Sequence, residues 1–182
     1  MTSSPTKHRL IGFTLHLLSG FALLLSSDLA AAQTIFTKAP TEVSIHNPEK
    51  TEGLRNRTTI SIRVPENAGA ELEFLVLSQL NDTHYWDWGR KEPEMYLGQY
   101  GIRRRGQTGL VQTALSESGE KLSIRFNPAI EPGQQANVVF HSFNPDEDIY
   151  DWSTSLIPAG DDPIASDGPM LRIAIWPKGH FR

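Results

Sequence analysis

Three short stretches of this chain carry an apolar residue at every second position, a spacing that fits a strand packed on one face and does not fit a helix. Across residues 58–64, Ile60, Ile62 and Val64 point one way while Ser61 and Arg63 point the other. Residues 121–126 repeat the pattern with Leu122, Ile124 and Phe126 inward, and residues 171–175 do so with Leu171, Ile173 and Ile175. A chain built from such pieces must stack sheets to hide those faces.

Less regular runs at 42–46, 71–79, 110–115, 136–143 and 149–156 extend the strand count. The run at 71–79 also fits a helix over 68–80, but Pro65, Asn67 and Gly69 punctuate its approach and favour a buried strand. Glu117-Ser118-Gly119 predicts a hairpin turn with Gly119 at positive φ, and Pro128 to Gly133 predicts a second corner. Residues 158–169, rich in Asp, Gly and Pro, read as a loop before the last strand. The pattern predicts an all-β fold, a single-domain antiparallel two-sheet β-sandwich of immunoglobulin-like kind, over residues 33–182.

Residues 1–32 read as a cleaved signal peptide, with Lys7, His8 and Arg9 followed by a mostly apolar run at 10–25 and the small-residue site Ala30-Ala31-Ala32. The run is shorter than the roughly 20 apolar residues a spanning helix needs, so the mature chain is expected to carry no transmembrane anchor. Export to the periplasm or the extracellular space follows. Without Lys7, Arg9 and Asp28, the chain's 17 Lys+Arg and 21 Asp+Glu fall to 15 and 20, a formal charge of −5. That balance argues against binding nucleic acid, which takes clustered cations. With no cysteine, thiol catalysis, Cys-ligated zinc and disulfide staples are excluded.

Four loop motifs carry a resemblance: Pro65-Glu66-Asn67-Ala68-Gly69, Gly101-Ile102-Arg103-Arg104-Arg105-Gly106, Phe126-Asn127-Pro128-Ala129-Ile130-Glu131-Pro132-Gly133, and Asn144-Pro145. In this order and spacing, over roughly residues 40 to 176, the chain resembles the domain of unknown function 2808 family, small exported proteins found mainly in cyanobacteria. The resemblance implies a signal peptide and a β-rich domain. It brings no activity and no catalytic residues.

Three clusters are candidate sites. Arg103, Arg104 and Arg105 lie between two glycines, and guanidinium forks suit carboxylate or phosphate groups, so an anionic polymer is one expected ligand; a solvated turn is the plainer alternative. Trp86 and Trp88, with Asp87 and Asn81 nearby, offer either a platform for sugar rings or a cap on the core. Asn144, Asp146 and Asp148 have the alternate spacing of calcium ligands, but Ile149 stands where such a loop needs Gly, which favours an acidic turn.

No serine-hydrolase elbow, zinc-protease motif, phosphate loop or dinucleotide fingerprint occurs, and His46, His84, His141 and His180 are far apart. No cofactor is expected. The reading is an exported, soluble, non-catalytic binding or envelope-associated module, its partner an anionic or glycan polymer of the cell envelope. The alternatives are a secreted or periplasmic polysaccharide hydrolase and a structural subunit pairing through a strand edge.

Overall fold

Alternation along the chain is realised as eleven strands, with no helix among the residues that the computed structural model describes, 33–80 and 84–179. The leader expected over residues 1–32, Asn81 and His180 lie outside them. The strands are β1 (Glu42–His46), β2 (Arg55–Arg63), β3 (Leu72–Gln79), β4 (Glu94–Leu97), β5 (Gln107–Thr108), β6 (Val111–Leu115), β7 (Lys121–Ile130), β8 (Gln135–Phe143), β9 (Asp148–Pro158), β10 (Ser166–Asp167) and β11 (Leu171–Ile175).

All strand pairs are antiparallel and fall into two sheets. One has the order β1-β2-β8-β4-β5, the other β10-β9-β3-β7-β6, with β11 also on β9. Ile60 and Ile62 of β2, Val138 and Phe140 of β8, Leu75 and Leu77 of β3, Ile124 of β7 and Ile173 of β11 meet in one buried cluster drawn from both sheets. The two-sheet sandwich predicted from the strand pattern is the observed architecture.

The hairpin expected at 117–119 joins β6 to β7, with Gly119 at φ 81° and its N–H donated to the Ser116 carbonyl at 2.9 Å. The run at 71–79 is a strand, and its irregular pattern has a cause. Its pairing with both neighbours shifts register between Leu72 and Phe74, so Leu72, Leu75 and Leu77 share the core side despite unequal spacing.

Two expectations are corrected. The corner placed at 128–133 is shorter, because β7 runs on to Ile130 and the turn is closed by the Gln134 N–H on the Glu131 carbonyl. Pro128 is tolerated because no ladder partner falls between Arg125 and Ile130 opposite β3, so its missing N–H breaks no bond there. The loop at 158–169 holds β10, which pairs Ser166 with Leu156, while Thr34 bridges the loop at Pro163. β4 and β5 were not expected at all.

The outward face of the five-stranded sheet is roofed. Arg57, Thr59 and Ser61 of β2 stand opposite His141, Val139 and Asn137 of β8, yet Thr59, Ser61, Val139 and Asn137 are buried. The loop 98–106 between β4 and β5 covers this face. Tyr100 stacks on His46, the Asn137 amide donates to the Gly98 carbonyl at 2.7 Å, and the Arg57 guanidinium donates to the Ile102 carbonyl.

Candidate functional site

Strand alternation puts Arg55 and Arg57 on one face of β2, opposite Phe143 and His141 of β8. Two neighbouring hollows open there. The first, of about 340 Å³, is lined by Arg55, Asp87, Arg90, Lys91, His141 and Ser142, among others. The second, of about 550 Å³, is lined by Glu49, Arg55, Asn56, Arg57, Ile102 and His141, among others. Arg55 and His141 are common to both, so the hollows form one cationic surface.

The first hollow depends on how the 87–91 segment meets β8. The Asp87 carboxylate accepts the Gly89 N–H at 2.8 Å, which tightens the turn. Gly89 has φ 80°, and a β-carbon there would stand 2.4 Å from the His141 carbonyl oxygen. Only glycine lets this loop press on the end of β8 and bring Arg90 and Lys91 beside His141.

Three arginines elsewhere are paired with carboxylates. Arg63, Arg125 and Arg172 make ion pairs with Glu42, Glu73 and Asp151 at 3.2, 2.8 and 2.6 Å. Arg55, Arg90 and Lys91 make none among the described residues. His141 is 3.6 Å from Glu94, whose other oxygen accepts the Gly106 N–H at 3.2 Å.

Arg103, Arg104 and Arg105 are exposed in the roof loop and follow directly from Ile102 on the rim of the second hollow. Their turn is held by the Arg104 N–H on the Gly101 carbonyl at 3.0 Å, and the Arg104 guanidinium donates to the Gln99 carbonyl. The loop is anchored below by Arg57 and by the Tyr96 hydroxyl, which accepts the Gly101 N–H at 3.1 Å.

Trp86 and Trp88 are brought together, but inside the protein. They are 2% and 6% exposed, and their rings pack edgewise or tilted on each other and on Tyr150, Trp152 and Phe140 with centroids 5.0 to 6.1 Å apart. Their area is spent on the core. Asp87 between them is exposed and serves the Gly89 turn. The buried Tyr150 hydroxyl donates to the Asp146 carbonyl at 2.9 Å; burial, with Asp148 and Asp146 adding to it, pushes its pKa up to about 12.

The three calcium candidates do not converge. Asn144 is buried, and its side-chain oxygen accepts from the amides of Asn56 and Asn47 at 2.8 and 3.1 Å. Its own amide donates to the Glu49 and Thr51 carbonyls at 3.0 and 2.9 Å. Asn47 completes the knot by accepting from Asn56 and Thr58. Asp146 faces solvent near His84, and Asp148 accepts the Ile149 N–H. No group of three His, Asp or Glu residues among those described is placed to hold a metal ion.

Arg55, Arg90, Lys91, His141 and Ser142 were missed as site residues by reading the chain. The available signals were Arg55 and Arg57 two apart on one strand face, and a basic pair directly after Gly89.

A family model described as "Protein of unknown function (DUF2808)" matches residues 33–175. The chain belongs to the DUF2808 family. The resemblance carried by its loop motifs is thereby confirmed. No curated protein matches the chain. Among solved structures, the DUF2808 chain is similar to an uncharacterized protein from Nocardia farcinica with an immunoglobulin-like fold, at 12% identity, 73% of this chain, 96% of that one and TM-score 0.45. It is similar to BcpA, the major pilin subunit of Bacillus cereus, at 10% identity, 76% and 41% coverage and TM-score 0.45. It is also similar to the collagen-binding domain of a Staphylococcus aureus adhesin, at 6% identity, 76% and 99% coverage and TM-score 0.40. The sandwich architecture of the DUF2808 chain stands on its own strand pairing.

Proposed function

We propose that this protein is an exported, non-catalytic binding module whose ligand is an anionic polymer of the cell envelope, held on the outward face of the five-stranded sheet. The observation that carries this reading is the cationic surface of the two joined hollows, with Arg55, Arg90 and Lys91 free of ion pairs among the described residues and Arg103 to Arg105 on its rim. Cations left without internal partners are available to an outside anion, and forked guanidinium groups suit carboxylate and phosphate. No helix among the described residues is long and apolar enough to cross a membrane.

Hydrolysis of a polysaccharide is less well supported. That chemistry takes two carboxylates across one cleft, one kept protonated by its surroundings. The joined hollows contribute two, Asp87 and Glu49. Backbone N–H groups of Thr51 and Lys50 hold Glu49 below the usual carboxylate range, the wrong direction for a general acid.

The test is retention on immobilised polyanion at low and high salt. Retention that falls with salt and is weakened by Arg103→Ala with Arg105→Ala supports the reading; equal retention of the variant at low salt removes it.

A second reading, assembly with another copy of the chain, is favoured by β6. This edge strand carries no charge, four of its five residues are exposed, and Leu115 is 51% exposed. Natural edges are usually guarded by charge, shortness or proline. A concentration-dependent dimer that Ala114→Lys dissolves supports assembly, and a monomer at every concentration ends it.

A further inference from the structure

We infer that the hollow where the start of β9 meets the end of β11 binds a non-acidic glycan, with one sugar ring lying against Trp176. β9 and β11 belong to the six-stranded sheet, so this site is separate from the cationic surface on the five-stranded one.

The tryptophans divide sharply. Trp86, Trp88 and Trp152 are spent on the core, but Trp176 is 38% exposed. Strand register sets what surrounds it. Ile149 of β9 pairs with Ala174 of β11, and both face outward, since Tyr150, Trp152, Ile173 and Ile175 beside them are buried in the core. Trp176, two positions beyond Ala174, joins Ile149, Ala174 and Pro177 in lining a hollow of about 430 Å³, within the size range of small-molecule sites. The Trp176 N–H donates to the Lys50 carbonyl at 2.8 Å, and its own carbonyl accepts the Glu52 N–H at 3.0 Å. A residue whose backbone is already fixed loses less freedom when a ligand arrives.

The polar part of the lining selects the ligand. Glu147 and Asp148 bring two carboxylates, and no Lys or Arg among the described residues lines the hollow. One Asp148 oxygen accepts the Ile149 N–H at 2.7 Å, while Glu147 is exposed. The next pair along the strands, Asp151 and Arg172, is closed on itself by two hydrogen bonds of 2.6 and 2.8 Å and adds no net charge. A lipid chain or an apolar protein surface would desolvate the carboxylates without pairing them, which is costly. An acidic polymer would be repelled by them. A pyranose ring meets both demands, because C–H groups on its face cover the indole and hydroxyl donors around its edge reach the carboxylates.

The experiment is calorimetric titration of the protein, with tryptophan emission read in parallel. The probes are cellohexaose, maltohexaose and the hexamer of N-acetylglucosamine, with hexagalacturonate and hexalysine as charged controls. Saturable binding of at least one neutral sugar, accompanied by a change in emission, is expected. Trp176→Ala is expected to abolish it. Glu147→Gln is expected to weaken it about tenfold, the usual scale of a hydrogen bond to a charged group, with an unchanged melting temperature that separates a lost contact from a lost fold. Arg103→Ala with Arg105→Ala is expected to leave it intact. No saturable binding of any of the three sugars overturns the proposal. So does unchanged binding by Trp176→Ala, or a Trp176-dependent signal from either charged control that equals that of the sugars. Sugar binding without polyanion retention sinks the polymer reading alone; polyanion retention without sugar binding sinks this one alone.

Discussion

His46 and Tyr100 stack ring on ring, with centroids 3.7 Å apart and planes 8° from parallel. The contact pins the roof loop to β1, and burial lowers the pKa of His46 from its ordinary value. The folded protein therefore favours the neutral ring. Between the lowered value and the unfolded value of about 6.5 the unfolded chain binds the extra proton, so stability rises with pH through that window. Acidification from neutrality is expected to lower the melting temperature of the native protein more than that of His46→Gln. Parallel pH profiles of the two proteins count against a role for His46.

The Asn144 carboxamide joins Asn47, Asn56 and the carbonyls of Glu49 and Thr51. Asn144→Ala strands several buried polar groups, each costing about 1–3 kcal/mol. A loss of at least about 3 kcal/mol in urea unfolding is expected on that scale. Since the Asn144 oxygen is already engaged, melting in calcium and in chelator should coincide.

Gly89→Ala forces a β-carbon against the His141 carbonyl and strains a positive φ. The loop must lift, at a cost of about 1–3 kcal/mol. Thermal unfolding measures that cost. Retention of the same variant on immobilised polyanion at low salt should fall, because Arg90 and Lys91 move with the loop.

Trp88→Ala opens a void beside Trp86, Phe140 and Trp152. Truncation of a buried tryptophan typically costs about 3–5 kcal/mol. Urea unfolding should show it, and a near-neutral result would mean that the ring is not packed as described.

How much of this was legible follows from how each part is built. β2, β7 and β11 were readable because apolar and polar residues alternate along each, even though on β2 the outward Thr59 and Ser61 are buried under the roof loop. β3 was ambiguous because its bulge breaks that rhythm, and β5 and β10, at two residues each, are too short to show any. β4 puts only Met95 inward among four residues. The arginine triplet was visible as a run in the chain. Arg55, Lys91 and Ser142 were not, because only the pairing of β2 with β8 and the close approach of Gly89 bring such distant positions to one hollow.

The knot of Asn47, Asn56 and Asn144 has a consequence for where the protein can mature. It clasps the end of β1, the start of β2 and the segment after β8 through amide groups alone, a task that exported domains often give to oxidised sulfur. Its closure consumes no electron acceptor and calls on no oxidoreductase. The clasp therefore holds equally well whatever the redox potential of the surroundings.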